Sequence, residues 1–180
     1  MHWLLALMII SLPQERIFHG VSLVPPDYVW VCAADPYPGD TLLNIYYSDD
    51  FGFTWDTTRG YIQGAAYVKF WDVDFVTPLT GWAVGELGIV VRTDDGGKSW
   101  IMQDYAGTKW WARVKMLNDK VGWLVGGDFF VGWTSLGGYP WHYTIPNLGY
   151  TTDLYGAVSY THLRAHETRH DLVCRLLLEK

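Results

Sequence analysis

The sequence predicts an all-β fold made of repeated four-stranded antiparallel units, and three observations support this. The 180-residue chain contains 11 Trp, 12 Tyr and 19 Gly, a composition that favours short strands joined by tight turns. Three sequence markers recur in the same order, and the tryptophans that close the units lie 45 and 41 residues apart. Each unit also contains apolar runs of strand length bounded by turn residues.

The closing marker of each unit is a turn sequence. It reads Ser/Thr-x-Asp-x-Gly-x-Ser/Thr-Trp twice, whereas in the third unit Leu136 and Pro140 replace the Asp and the second Ser/Thr. An Asp in such a turn can accept hydrogen bonds from turn N–H groups, and Gly adopts a positive φ at little steric cost. We therefore assign these residues a structural role. They are Ser48, Asp50, Gly52, Thr54, Trp55, Thr93, Asp95, Gly97, Ser99, Trp100, Thr134, Gly138 and Trp141.

The remaining markers supply the strands of each unit. Openers that alternate apolar and polar residues start at Phe18, Phe70 and Trp111, and each predicts a first strand. In the second unit, residues 81–85 predict a short buried second strand, residues 88–93 a third strand, and the fourth strand begins near Trp100. Four antiparallel strands at a period of ~40–45 residues describe one blade of a β-propeller.

The repeat borders predict the organisation of the chain. Blades are expected at about 18–66, 67–107 and 108–150, with the start of a fourth at 151–157. Residues 18–157 therefore form part of a propeller, because such folds usually have ~4–8 blades. Residues 1–17 fit a signal remnant or the last strand of a preceding blade. The apolar run at 4–12 favours a secreted or periplasmic location.

The closing turn resembles the Asp-box, or bacterial neuraminidase repeat. The longer pattern at 81–100, GWAVGELGIVVRTDDGGKSW, resembles the repeats of the photosystem II stability/assembly factor family. That resemblance implies a non-enzymatic, seven-bladed propeller that acts as a binding or assembly module. Asp-boxes also occur in glycosidases, so the alternative is a fragment of a sialidase- or xyloglucanase-type glycoside hydrolase propeller.

The sequence assigns no catalytic residue. Glycoside hydrolysis needs two placed carboxylates; Asp27, Asp72, Asp74, Asp119 and Asp128 each have an ordinary turn or strand-edge explanation. Function in propellers usually sits on loops near the central channel, here the connections between blades and between strands two and three. The expected ligand-facing residues are Arg59, Tyr61, Tyr67, Lys69, Glu86, Tyr105, Lys109, Trp110, Arg113 and Asp128.

The C-terminal segment 158–180 differs from the rest of the chain. It lacks Gly, Pro and Trp and closely resembles a translated sequencing-adapter tail that recurs on unrelated metagenomic proteins. Its pentapeptide His166-Glu167-Thr168-Arg169-His170 matches the zinc motif H-E-x-x-H. Because we interpret the segment as a non-native tail, whose expected structure if it folds is a local helix, we treat His166, Glu167 and His170 as a chance match. No metal or cofactor is expected.

The net charge and the hydropathy of the chain limit the kinds of partner that it can have. The chain carries 13 Lys and Arg against 19 Asp and Glu, a formal net charge of −6, which argues against nucleic-acid binding. No apolar run reaches the ~18 residues of a membrane span. A protein or carbohydrate ligand is therefore expected.

Overall fold

The computed structural model describes residues 17–33, 44–56, 62, 68–105, 107, 109–145 and 153–156. Within these residues the fold is all-β, and the helical elements are two three-residue 3-10 turns, Glu86–Gly88 and Gly127–Phe129. Nearly all of the predicted N-terminal segment 1–17 (residues 1–16) and the whole predicted tail 158–180, with the H-E-x-x-H motif, lie outside the described residues, as do Arg59, Tyr61 and Tyr67.

The strands form three antiparallel sheets in which consecutive strands are neighbours. The first sheet contains β1 (Phe18–Val24), β2 (Tyr28–Ala33) and β3 (Ile45–Ser48). The second contains β4 (Phe70–Phe75), β5 (Gly81–Gly85), β6 (Ile89–Thr93) and β7 (Ile101–Tyr105). The third contains β8 (Trp111–Met116), β9 (Gly122–Gly126), β10 (Val131–Thr134) and β11 (His142–Thr144).

These sheets are successive blades of a partial β-propeller, which confirms the predicted fold class. The first strands β1, β4 and β8 pack side by side and form the inner edge of the blades. The described part of the first blade has three strands. Where the other blades have a fourth strand, it has one isolated antiparallel bridge, between Tyr47 and Asp56. The predicted third strand of the second blade starts one residue late, because Gly88 belongs to the preceding 3-10 turn.

Apolar packing between the blades forms the core. The ring of Phe75 on β4 stacks on Trp30 of the first blade, with centroids 3.8 Å apart and planes 8° from parallel. Trp100 meets Phe75 edge to face at 5.9 Å. All three side chains are buried. Aromatic pairs of this geometry add ~0.5–1.5 kcal/mol beyond their buried area.

Two carboxylates also join the inner strands. The main-chain N–H of Val114 donates to Asp72 Oδ2 at 3.0 Å, and that of Met116 donates to Asp74 Oδ2 at 2.7 Å. Lys115 Nζ lies 2.7 Å from Asp74 Oδ1. Burial raises the pKa of both carboxyls, that of Asp72 to about 6. These two Asp residues therefore hold β4 against β8.

The closing turn of the second unit, residues 93–100, which we call the second box, is held by hydrogen bonds to one carboxylate. Asp95 accepts the main-chain N–H of Ser99 at 2.9 Å, the Ser99 hydroxyl at 2.6 Å and the Thr93 hydroxyl at 2.8 Å. Thr93 Oγ1 in turn accepts the N–H of Gly97, whose φ is +90°. Burial opposes ionisation, yet the bonds from Ser99 and Thr93 outweigh it and lower the pKa of Asp95.

The first box repeats this network. Asp50 accepts the N–H and the hydroxyl of Thr54 at 2.8 and 2.6 Å and the Ser48 hydroxyl at 2.7 Å. The bonds from Thr54, with that from Ser48, lower the pKa of Asp50 to about 2. Ser48 Oγ accepts the N–H of Gly52 at 2.8 Å, as Thr93 does for Gly97. The closing Trp55 is half-buried.

The third box shows what the loss of the Asp changes. Leu136 replaces the carboxylate and is 67% exposed. Thr134 Oγ1 instead donates to the carbonyl of Gly138 at 2.8 Å and accepts the N–H of Leu136 at 3.1 Å. Trp141 remains buried, but its indole N–H has no hydrogen-bond partner in the described structure.

Candidate binding cleft

A cleft of about 610 Å³ opens where the inner strands begin. Its walls come from the first residues of β1, β4 and β8, from the 3-10 turn Glu86–Gly88, and from the segments that enter β8 and the next blade. In an antiparallel meander these features share one end of the blades, whereas the Asp-boxes, which join strands three and four, lie at the other end. The cleft and the boxes are thus spatially separate.

Each inner strand presents one residue to the cleft through a β-bulge. The pairing of β1, β4 and β8 with the second strands shifts register around the second residue, so His19, Trp71 and Ala112 have no partner across the ladder. A bulge redirects the side chain of the extra residue, and all three line the cleft. Tyr155 follows Leu154 as His19 follows Phe18, and it also lines the cleft.

The aromatic residues form a continuous arc across the blades. His19 meets Trp71 edge to face at 4.6 Å. Trp71 and Trp110 lie 6.0 Å apart with planes tilted by 51°, and Trp110 and Tyr155 lie 5.8 Å apart with a tilt of 48°. We call these four side chains the aromatic arc. Tyr155 is 63% exposed, and the other three are half-buried.

Two small residues make room for Trp110 in this arc. A Cβ added at Gly127 would overlap the indole of Trp110, and the position equivalent to Gly127 in the second blade is occupied by Glu86. Ala112 occupies the bulge position that carries an aromatic side chain in the other inner strands. In the third blade, the aromatic ring of the arc therefore comes from Trp110 and not from the bulge residue.

The charged side chains of the cleft are unevenly paired. Glu86 lies 3.7 Å from Lys69. Lys109 pairs with Asp128 at 2.9 Å and stands 4.6 Å above the ring of Phe130. These exposed pairs contribute little to stability but hold the charges at the rim.

Among the cations that line the cleft, Arg113 is the one that makes no salt bridge with the described residues. Its Nη1 donates to the carbonyl oxygens of Ala112 at 2.7 Å and Trp71 at 3.4 Å, and within the described residues it makes no salt bridge. These two bonds occupy part of the guanidinium, which carries five N–H donors. The remaining donors suit a carboxylate or carbonyl oxygen brought by a ligand.

The connections between strands two and three contain strained backbone. Leu87 has φ +56° and Asp128 has φ +55°, a left-handed conformation that non-glycine residues rarely adopt and that often occurs at functional sites. The N–H of Asp128 donates to Asp153 Oδ1 at 3.1 Å, which ties this turn to the segment 153–156. The conformation places Leu87 on the cleft wall.

The structure brings together part of the set expected from the sequence. Glu86, Lys109, Trp110 and Arg113 line the cleft, while Lys69 and Asp128 flank it through their ion pairs. Tyr105 is 51% exposed and does not line it. Sequence reasoning missed His19, Trp71, Ala112 and Tyr155. Aligning the second residue of each opener would have revealed them.

Neither metal ligands nor a spanning helix were found in the described part of the chain. No three His, Cys, Asp or Glu side chains there are grouped as a metal site. No helix among the described residues is long and apolar enough to cross a membrane.

The inner strands, bulges and blade meander together define a β-propeller. No family model matches the chain, and no curated protein matches it. Among solved structures it is similar to YCF48 bound to D1 peptide, with 23% identity and a TM-score of 0.60 over 74% of this chain and 42% of that one. It is also similar to YCF48 from Cyanidioschyzon merolae, with 21% identity and a TM-score of 0.56 over 74% of this chain and 38% of that one. The chain thus spans less than half the length of these structures.

Proposed function

We propose that the chain is part of a non-enzymatic binding propeller of the assembly-factor type, and that its cleft holds an extended segment of a partner protein. The observation that carries the proposal is the aromatic arc beside Arg113, a cation that makes no salt bridge with the described residues and keeps free N–H donors. Aromatic side chains and Arg dominate binding energy at protein interfaces.

The spacing of the arc fits an extended chain. Its Trp110 ring lies 6.0 Å from that of Trp71 and 5.8 Å from that of Tyr155. An extended segment advances ~3.3 Å per residue, so alternate side chains recur every ~6.6 Å. Alternate apolar residues of a ligand can therefore pack against the exposed faces of successive rings. The solved structure of YCF48 bound to D1 peptide, which shares the fold, supports a peptide as the ligand.

The cleft offers less to a glycoside hydrolase. Among the described residues that line it, Glu86 is the one carboxylate, and it is paired with Lys69. Hydrolysis of a glycosidic bond normally uses two carboxylates on either side of that bond. Aromatic faces also stack on sugars, so the experiment includes carbohydrate probes.

The proposal is tested by calorimetric titration of the full chain with the D1 peptide found in the solved complex. Trp110→Ala should weaken binding at least about tenfold, because truncation of a central interface Trp costs ~2 kcal/mol or more. Arg113→Gln should weaken it too and reduce its salt dependence. Phe53→Ala is the matched control, since Phe53 is 71% exposed in the box at the opposite end.

Three results would contradict the proposal. The peptide could fail to bind at millimolar concentration, or it could bind with an affinity that neither cleft substitution changes. The third is turnover of sialyllactose or of a xyloglucan oligosaccharide, measured by release of reducing sugar, which would favour the glycoside hydrolase instead.

A further inference from the structure

Two residues of the cleft keep hydrogen-bond donors that the described structure does not use. Arg113 donates to two carbonyl oxygens through Nη1 alone, although a guanidinium carries five N–H donors. The indole N–H of Trp71 is shielded from water, and no hydrogen-bond partner reaches it within the described residues. A donor buried in this way loses its hydration without compensation, so its presence in the cleft wall needs an explanation.

The fold otherwise pairs most of the indole N–H groups that it buries. Five tryptophans are buried among the described residues, and four of them donate to the carbonyl oxygen of a glycine. The pairs, at 3.0 to 3.2 Å, are Trp30 with Gly96, Trp82 with Gly137, Trp100 with Gly97 and Trp111 with Gly88. An unpaired indole is therefore an exception that requires a local cause.

The exception among these five has such a cause. Trp141 closes the third box, and its indole N–H has no partner in the described structure. This box lacks the carboxylate that accepts the Ser or Thr hydroxyl in the other two, because Leu136 stands in its place. The hydroxyl of Thr134 donates instead to the carbonyl of Gly138, which is equivalent to the carbonyl that pairs with the indole in the second box. The unpaired N–H of Trp141 thus follows from a local substitution.

Trp71 has no comparable local cause. It is the bulge residue of β4, and the equivalent residues of β1 and β8 are His19 and Ala112. Neither of these carries an indole, so no indole–carbonyl pair is repeated at this position. The side chain of Trp71 is half-buried and lines the cleft, where its ring contacts are with His19 and Trp110 of the aromatic arc. The unpaired donor therefore belongs to a ring that borders the space for a ligand.

We propose that the indole of Trp71 turns towards the cleft when the ligand binds and donates to a main-chain carbonyl oxygen of the extended segment. This inference rests on the proposed function, since it names the ligand group that the same cleft recognises. Every residue of an extended segment carries a main-chain carbonyl, and outside a sheet that carbonyl is free to accept. The contact thus selects an extended backbone and depends little on the ligand side chain at this point.

Arg113 stands next to Trp71 and supplies further donors to the same part of the cleft. Its Nη1 lies 3.4 Å from the carbonyl oxygen of Trp71, and both side chains line the cleft. A ligand that covers the indole also keeps water from the new bond, and exclusion of water strengthens a hydrogen bond. Because the free protein carries the unpaired donor and the complex does not, the whole gain appears as affinity.

The test follows the indole N–H groups of the ¹⁵N-labelled full chain during titration with the same D1 peptide, with peaks assigned by Trp→Phe variants. Because a hydrogen bond deshields the indole proton, the Trp71 peak should move downfield as the peptide saturates the cleft. Isotope-filtered spectra should show cross-relaxation between this proton and α-protons of the peptide, which flank its carbonyl groups. The Trp141 peak should not move, because its unpaired N–H belongs to a box at the opposite end of the blades.

Calorimetry of Phe variants provides the second readout. Trp71→Phe keeps an aromatic ring but removes the N–H, so it should weaken peptide binding roughly threefold to tenfold, as expected for one neutral hydrogen bond. The loss should persist with a peptide amidated at its C-terminus, because main-chain carbonyls survive amidation and a terminal carboxylate does not. Trp141→Phe is the matched control and should leave the affinity unchanged. In thermal melts both variants should be destabilised less than Trp82→Phe, which breaks an existing hydrogen bond.

The outcomes separate this inference from the proposed function. If the peptide binds but the Trp71 proton neither moves nor contacts it, or if Trp71→Phe binds as tightly as the original chain, the inference alone is wrong. It is also wrong if the loss in Trp71→Phe disappears with the amidated peptide, since the indole then recognises a terminal carboxylate. Cross-relaxation of the Trp71 proton with a water that persists in the complex would likewise overturn it. A peptide that does not bind at all contradicts the proposed function and this inference together.

Discussion

The buried carboxyl of Asp72 should make the stability of the protein depend on pH. Burial raises its pKa from the ordinary 3.8 to about 6, so the folded state holds the proton more tightly than the unfolded state. For such a group the contribution to stability is present at low pH and is lost as pH rises through about 6. The expected direction is the reverse of ordinary acid denaturation.

The size of the effect follows from the shift. One pKa unit corresponds to ~1.4 kcal/mol, and integration between about pH 4.5 and about pH 7.5 gives a loss of ~2 kcal/mol from this group. Asp72→Asn removes the titration, and its amide oxygen can still accept the N–H of Val114 as the carboxylate does at 3.0 Å. The variant should therefore gain ~2 kcal/mol relative to the original protein over this interval.

The assay is urea unfolding followed by tryptophan fluorescence at both pH values. The quantity of interest is the difference in unfolding free energy between Asp72→Asn and the original protein, because the titration of distant carboxyls is common to both and cancels. The repulsion between Asp72 and Asp74 is the smallest of the causes that act on the pKa of Asp72, so it changes this difference little. Asp50→Asn is the control. The pKa of Asp50 is lowered to about 2, so its effect should be the same at both pH values. A difference for Asp72→Asn that does not change with pH would refute the burial argument.

Three further expectations concern the box, the cleft and the tail. Asp95→Ala should lower the free energy of unfolding by ~1–3 kcal/mol, because it leaves turn N–H donors unpaired. In thermal melts its melting temperature should fall further than that of Asp94→Ala, a variant at an exposed position. The affinity for the peptide should not change. Gly127→Ala should displace the indole of Trp110 and weaken the peptide in calorimetry, and unchanged affinity would argue against this packing. The motif at 166–170 should bind no zinc stoichiometrically; micromolar or tighter binding, lost when both histidines are replaced, would disprove the chance match.

Local patterns explain how much of the fold could be predicted. Alternating openers, the apolar run 81–85 and the turn sequence gave the strands to within a residue or so, since strand and turn preferences depend on near neighbours. The hydrogen bonds of the box also connect residues at most four apart, such as Thr93 and Gly97. Of the residues expected to face a ligand, Trp110 and Arg113 line the cleft, and their ligand-facing role stays a prediction.

The sequence by itself thus determined the repeat, the strand order, the closing turns and the all-β class, because each depends on residues close along the chain. Only the tertiary structure decided which side chains meet in the cleft and between the blades. His19 and Trp71 are 52 residues apart and touch only because bulges in adjacent inner strands turn both to one side. The pKa of Asp72 rises because a neighbouring blade excludes water from it. Alignment of the openers can place His19 and Trp71 at equivalent positions, but it cannot show that their rings touch or that Asp72 is buried, since both depend on contacts between residues far apart along the chain.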